Sequence, residues 1–149
     1  MATLIQVVFF DIGNTLVVSD TTNWNSTAKT VLADLKKKGV RLGIISNTGT
    51  LKREQLKTRL PPDFDFNTFE ANLILLSSEV HIQKPDIKIF QLAVSKAAIP
   101  ASQCVYCSED FQETLAAQKA GMIGARVVPP PKSDIGTIVD VFRKLEFIK

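Results

Sequence analysis

The chain alternates short apolar runs with longer stretches in which apolar residues recur at helical spacing. Residues 4–10 are apolar except for Gln6, the pattern of a strand buried on both faces. The run stops at Asp11, and Gly13 and Asn14 supply turn chemistry directly after it. Residues 17–25 are short and polar. Ser26 then offers an N-cap for a helix that places Ala28, Val31, Leu32 and Leu35 on one face and closes at Gly39. Residues 40–45 predict a second strand running into Ser46, Asn47, Thr48 and Gly49. Residues 51–60 predict a moderately amphipathic helix stopped by Pro61 and Pro62. Residues 63–72 carry no readable period, and residues 73–76 predict a short strand.

Gln83, Lys84, Pro85 and Asp86 open a helix whose apolar positions are Ile89, Phe90, Ala93, Val94 and Ala97, and Pro100 ends it. Residues 104–107 predict a fourth strand, followed by polar residues 108–113 and a helix reaching Lys119, with Gly121 as its stop. Residues 125–128 predict a fifth strand and residues 135–145 a last helix. Strands alternating with helices imply right-handed crossovers. The expected fold is therefore α/β: a doubly wound, mostly parallel, five-stranded Rossmann-like sheet with helices on both faces. At 149 residues the chain is expected to form a single domain, 1–149.

Composition changes this picture little. A hydrophobic content of 45% and a charged content of 22% are ordinary for a globular protein. The net charge of +3 is small, and the one basic run, Lys36, Lys37 and Lys38, falls at a helix end where cations offset the helix dipole. Nucleic-acid binding is not expected. No basic region precedes the first apolar run and no stretch reaches membrane-spanning length, so a cytoplasmic protein without membrane contact is expected. Cys104 and Cys107 have the spacing of a redox or zinc pair, but on a strand positions three apart face opposite ways. The single His81 cannot complete a zinc site, so buried structural thiols are expected.

In a doubly wound fold the strand-to-helix loops share one edge of the sheet, where ligands bind. Those loops carry Asp11, Ser46, Lys84 and the acidic group Glu109, Asp110 and Glu113. A carboxylate able to attack phosphorus, a hydroxyl and an ammonium able to hold phosphoryl oxygens, and further acids for a divalent cation form a phosphoryl-transfer set. Magnesium suits an all-oxygen site with few protein ligands.

With these residues the chain resembles the haloacid dehalogenase superfamily over nearly its whole length. Asp11 in Phe-Asp-Ile-Gly-Asn-Thr-Leu matches the first motif, and Ser46 in Ile-Ile-Ser-Asn-Thr-Gly the second. Lys84, after Ser-Ser-Glu and before Pro-Asp, matches the third, and Ser108-Glu109-Asp110 with Glu113 and Ala120-Gly121-Met122 the fourth. The resemblance implies Asp11 and Lys84 as catalytic residues, with Ser46, Asn47 and Lys84 binding a phosphorylated small molecule or macromolecule. It implies a magnesium site from Asp11, the Gly13 carbonyl, and Glu109 or Asp110.

Two departures bear on activity. The second Asp of the first motif, the general acid and base of family phosphatases, is Gly13 here. Glu109 stands where the fourth motif usually has Asp. The intervals between motifs leave no room for an inserted cap domain. A capless, magnesium-dependent phosphatase-like hydrolase is the leading expectation. A binding or regulatory module that has lost turnover is the alternative, and a receiver-like signalling domain is disfavoured because its acceptor Asp follows the third strand. Trp24 and Asn23 lie in the loop after the first motif. The Trp is expected to be partly buried, and His81 to be a surface or strand-end residue. Lys84, at a strand end, is expected to carry little packing.

Overall fold

The computed structural model describes residues 4–128, so the helix expected at 135–145 lies outside the described residues. Five parallel strands form one sheet: β1 (Val7–Phe10), β2 (Arg41–Ser46), β3 (Ile74–Leu76), β4 (Cys104–Ser108) and β5 (Ile123–Arg126). Their order is β3-β2-β1-β4-β5, which leaves β1 central and makes the chain reverse direction beside it. Every residue of β1 is buried, as its unbroken apolar run requires.

Alternation across the sheet divides the core in two. Val8 and Phe10 join α1 (Ala28–Lys37) on one face, whereas Val7 and Phe9 join α4 (Ile87–Ala97) and α5 (Phe111–Lys119) on the other. Cys104 and Cys107 fall into opposite cores, both as free thiols. Burial pushes the Cys104 thiol up to about 11 and the Cys107 thiol up to about 12. Neither should react with a disulfide reagent in the native protein at pH about 8, and both should do so after unfolding. A rapid native reaction of either thiol, followed by absorbance, would contradict this burial.

Several boundaries differ from the sequence pattern for identifiable reasons. Residues 51–60 form only the single turn α2 (Arg53–Leu56) and a tighter turn, Lys57–Arg59. Leu60 precedes Pro61 and is extended, with φ −106° and ψ 161°, so the helix must end before it. Thr27 rather than Ser26 caps α1. Gly121, at φ 89°, turns the chain sharply after α5, and β5 starts two residues before the expected position. A one-turn helix, α3 (Ser77–Val80), follows β3, and its exposed C-terminal residue His81 takes a left-handed conformation. The unreadable stretch 63–72 holds two short turns, Phe66–Thr68 and part of Ala71–Leu73. Here Phe64 stacks on Trp24 with ring centroids 5.3 Å apart. Trp24 is half-buried and donates from Nε1 to Asp63 Oδ1 at 2.7 Å.

Between β1 and β2 the described chain carries a loop and α1, and between β2 and β3 only short turns, so no cap domain is present there. None of the described helices is long and apolar enough to cross a membrane.

Candidate active site

β1 and β4 pair in parallel with Phe9 opposite Tyr106, and the backbone N–H of Asp11 continues the pairing to the Cys107 carbonyl at 3.0 Å. This register delivers Asp11 to the sheet edge beside Ser108. Lys84, ahead of α4, reaches the same point with its side chain only 1% exposed. Its Nζ donates to Asp11 Oδ1 at 2.8 Å and to the Tyr106 hydroxyl at 2.9 Å, and lies 2.8 Å from Glu113 Oε1. The three protons of the ammonium therefore have three acceptors. The expectation that Lys84 carries little packing is overturned: the lysine is sealed between two carboxylates and a phenol.

Tyr106, fully buried in β4, donates to Glu113 Oε1 at 2.6 Å. Burial pushes this phenol well above its usual range, and the charges of Asp11 and Glu113 push it further. Ser108 donates to the same Glu113 oxygen at 3.1 Å and accepts from the Asp110 backbone N–H at 3.1 Å. Glu113 is thus the hub that orients Lys84. Tyr106→Phe would leave a buried ammonium proton without its acceptor and should cost about 1–3 kcal/mol of stability, read by denaturant melts.

The two oxygens of Asp11 differ. Oδ1 accepts from Lys84 and from the Ile12 backbone N–H at 2.8 Å. Oδ2 has only the Ser108 hydroxyl, at 3.5 Å, and that hydroxyl has a nearer acceptor in Glu113. One oxygen is pinned and the other is left for chemistry. Burial raises the Asp11 pKa above the usual carboxylate value; the Lys84 charge opposes this and the Glu113 charge adds to it.

Ser46 ends β2 at the same edge, and its hydroxyl has no hydrogen-bond partner among the described residues although the side chain is buried. It lines a cleft with Gly13 and Thr48. Asn47 is committed differently: its Oδ1 accepts from the Lys84 backbone N–H at 2.8 Å and its Nδ2 donates to the Lys84 carbonyl at 3.0 Å. The side chain of Asn47 therefore clamps the lysine loop.

The acids after β4 are also distinguished. Asp110 caps α5, with Oδ1 accepting from the Glu113 backbone N–H at 3.1 Å. Glu109 has its pKa raised by burial, and the charges of Asp11, Asp110 and Glu113 raise it further. Its backbone N–H donates to the hydroxyl of the fully buried Thr15 at 3.2 Å, tying the two motif loops together. Gly13 is flanked by Ser19, whose Oγ lies 3.1 Å from the point a Gly13 side chain would first occupy.

The site thus unites Asp11, Lys84, Ser46, Glu109, Asp110 and Glu113, as the loop argument requires. Tyr106, Ser108, Thr15 and Ser19 were not singled out from sequence. Tyr106 did carry a signal, because a phenol inside an apolar central strand requires a buried partner.

Residues 7–127 match the family model described as haloacid dehalogenase-like hydrolase. The chain belongs to the haloacid dehalogenase-like hydrolases. Within that family it is similar to a glyceraldehyde 3-phosphate phosphatase from Methanothermobacter thermautotrophicus, with 37% identity over 92 residues. The matched segment covers 61% of this chain but only 38% of that phosphatase. A haloacid dehalogenase family enzyme from Bacteroides thetaiotaomicron, solved with magnesium and inorganic phosphate, shares the fold at TM-score 0.72 and 13% identity, covering 90% of this chain and 98% of that one. An uncharacterized protein from Corynebacterium glutamicum aligns over 97% of both chains at TM-score 0.66 and 19% identity.

Proposed function

We propose that this haloacid dehalogenase-like chain is a magnesium-dependent phosphatase-like hydrolase that works through an aspartyl-phosphate at Asp11. The observation that carries the reading is the asymmetry of Asp11, with Oδ1 held by Lys84 and Ile12 and Oδ2 without a close donor. In the first step Asp11 Oδ2 attacks phosphorus and the bond to the leaving oxygen breaks, that oxygen taking its proton from solvent water because Gly13 supplies none. The Ser46 hydroxyl holds a phosphoryl oxygen as charge develops on it, and the Lys84 ammonium, its three protons already engaged, acts on that charge through its field. In the second step water attacks the same phosphorus, the acyl-phosphate bond breaks, and inorganic phosphate leaves with the Asp11 carboxylate restored. Lys84 also opposes the rise in the Asp11 pKa that burial causes, and Glu113, Tyr106 and Asn47 fix where Lys84 stands.

The donor set fits a hard divalent ion. All of its groups are oxygens, and burial together with the charges of Asp11, Asp110 and Glu113 raises the Glu109 pKa, so a cation there would relieve like-charge repulsion. Among the described residues no three acidic, histidine or cysteine side chains form a metal-holding group. Asp11 and Glu109, with the Gly13 carbonyl, would hold magnesium, since Asp110 is engaged as a cap. The ion would offset the negative charge that otherwise repels substrate from Asp11. Magnesium should raise the melting temperature by mass action, and Asp11→Asn should weaken that rise. An unchanged melting temperature up to millimolar magnesium would count against the site.

Similarity to a named sugar-phosphate phosphatase supports a phosphorylated small molecule as substrate, although a phosphorylated macromolecule fits an uncapped site as well. The deciding experiment screens phosphate esters with magnesium against an Asp11→Asn control, with mass spectrometry for a phosphoryl adduct on Asp11. Gly13 favours one second reading, a binding module without turnover. Ligand binding with no hydrolysis beyond the control, across a broad panel, would select it.

A further inference from the structure

We infer that the site takes a phosphate monoester whose other end carries a second anionic group, bound by Arg59. The inference rests on the phosphatase-like reading for the first phosphate and extends it to substrate class. An open cleft that begins at Ile12 and Gly13, the residues directly after Asp11, holds about 360 Å³, more than a phosphoryl group needs. Its polar lining includes Ser19, Asp20, Thr21, Ser46, Thr48 and Arg59. Apolar walls alternate with these polar groups, from Val17 and Val18 after β1 and from Leu51, Leu56 and Leu60 after β2. Such walls suit a short carbon skeleton.

This cleft shares Asp20, Thr21 and Arg59 with a second cavity of about 650 Å³, otherwise lined by Thr22, Asn23 and Thr58. Arg59, an exposed residue, therefore stands with Asp20 and Thr21 at the junction of the two. The other described arginines are committed. Arg41 makes a two-pronged contact with Glu70 at 2.8 and 2.9 Å, Arg53 pairs with Glu79 at 2.9 Å, and Arg126 donates to the Glu109 carbonyl at 3.2 Å. Arg59 has no ion pair or hydrogen bond among the described residues. Asp20 is the one carboxylate in either lining, and it is not ion-paired to Arg59. The two charges balance, so the second site does not attract anions by net field. It selects through geometry: the guanidinium fork presents paired donors to a planar carboxylate or to a phosphate. Asp20 and the neighbouring threonines then serve hydroxyl groups on the intervening carbons.

The test compares phosphoglycerate and glycerol bisphosphate, which differ in their second anion, with glycerol phosphate, which lacks one. Dissociation constants are measured by calorimetry on Asp11→Asn, which cannot consume the esters, and rates are measured separately on wild type. One charge-assisted pair should make at least one two-anion ester bind roughly 10–100-fold more tightly than glycerol phosphate. Preference for phosphoglycerate identifies a carboxylate site, and preference for the bisphosphate a phosphate site. Adding Arg59→Ala should bring the preferred ester down to the level of glycerol phosphate, and Arg59→Lys should restore only part of the difference. In wild type the same substitution should raise KM for the preferred ester far more than it lowers kcat. Equal dissociation constants for the three esters, no binding of any, or a preference that survives Arg59→Ala would overturn the inference. Turnover without such a preference would leave the Asp11 mechanism standing, while preference without turnover would remove the hydrolase reading and keep the anion site.

Discussion

Lys84→Ala should destabilise the fold as well as abolish any phosphoryl transfer. The ammonium lies 2.8 Å from both Asp11 Oδ1 and Glu113 Oε1 with almost no exposure to water. Removing one partner of a buried ion pair typically costs about 3–5 kcal/mol, because the remaining charge loses its compensation inside a low-dielectric site. Here two carboxylates lose it at once. The pH dependence has a definite sign. Burial already raises the Asp11 pKa and the Lys84 charge opposes that rise, so the variant should raise it further. A carboxyl with a raised folded-state pKa adds stability below its unfolded pKa, and that contribution disappears as pH rises through the folded value. The deficit of Lys84→Ala should therefore be largest near neutrality and shrink as pH falls toward the carboxylate range. Asp11→Asn in the Lys84→Ala background should recover part of the loss. A single variant that melts like wild type at neutral pH would mean that the lysine is not sealed between the acids.

The strand and loop framework was legible because its signals are local. The run 4–10, the turn residues after Asp11, and the Gly121 stop after the helix reaching Lys119 each report one element. Parallel order then follows from alternation with helices, and the ligand edge follows from parallel order. What stayed illegible depends on contacts between distant segments. Nothing near Lys84 in sequence announces Tyr106 or Glu113, which reach it across 22 residues and more. Asn47 looked like a phosphate ligand because it sits beside Ser46, yet the return of the chain at Lys84 engages its amide. The choice between Glu109 and Asp110 was likewise undecided from spacing. At the start of α5 Asp110 is drawn into capping through one oxygen, which favours Glu109 in the proposed site. The misplaced helix end at residues 57–60 shows the opposite case, a local rule that was available: the residue before proline avoids helical geometry.

Gly13→Asp should convert a slow or silent site into a faster one. General acid catalysis at such a position is worth about 10²–10⁴ in rate, and Gly13 is where the family's phosphatases carry the donor. The backbone permits the change. Gly13 is not among the glycines at positive φ, which are Gly39, Gly49 and Gly121, so an L side chain meets no conformational penalty there. The obstacle is steric and small: the new Cβ would stand 3.1 Å from Ser19 Oγ. Ser19 is exposed, and its backbone N–H is tied to Asn14 Oδ1 at 3.0 Å, so the loop resists moving while the hydroxyl can rotate away. Gly13→Asp combined with Ser19→Ala should therefore exceed Gly13→Asp alone. The gain should be greatest for aliphatic esters and least for aryl phosphates, whose leaving groups need little protonation. Another acid beside Asp11, Glu109, Asp110 and Glu113 adds repulsion that only Lys84 and a bound cation oppose, so rates belong at saturating magnesium. Should the folded double variant bind magnesium and still hydrolyse no ester faster than wild type, a missing proton donor is not what limits this site. The binding-module reading would then account better for Asp11, Lys84 and Ser46.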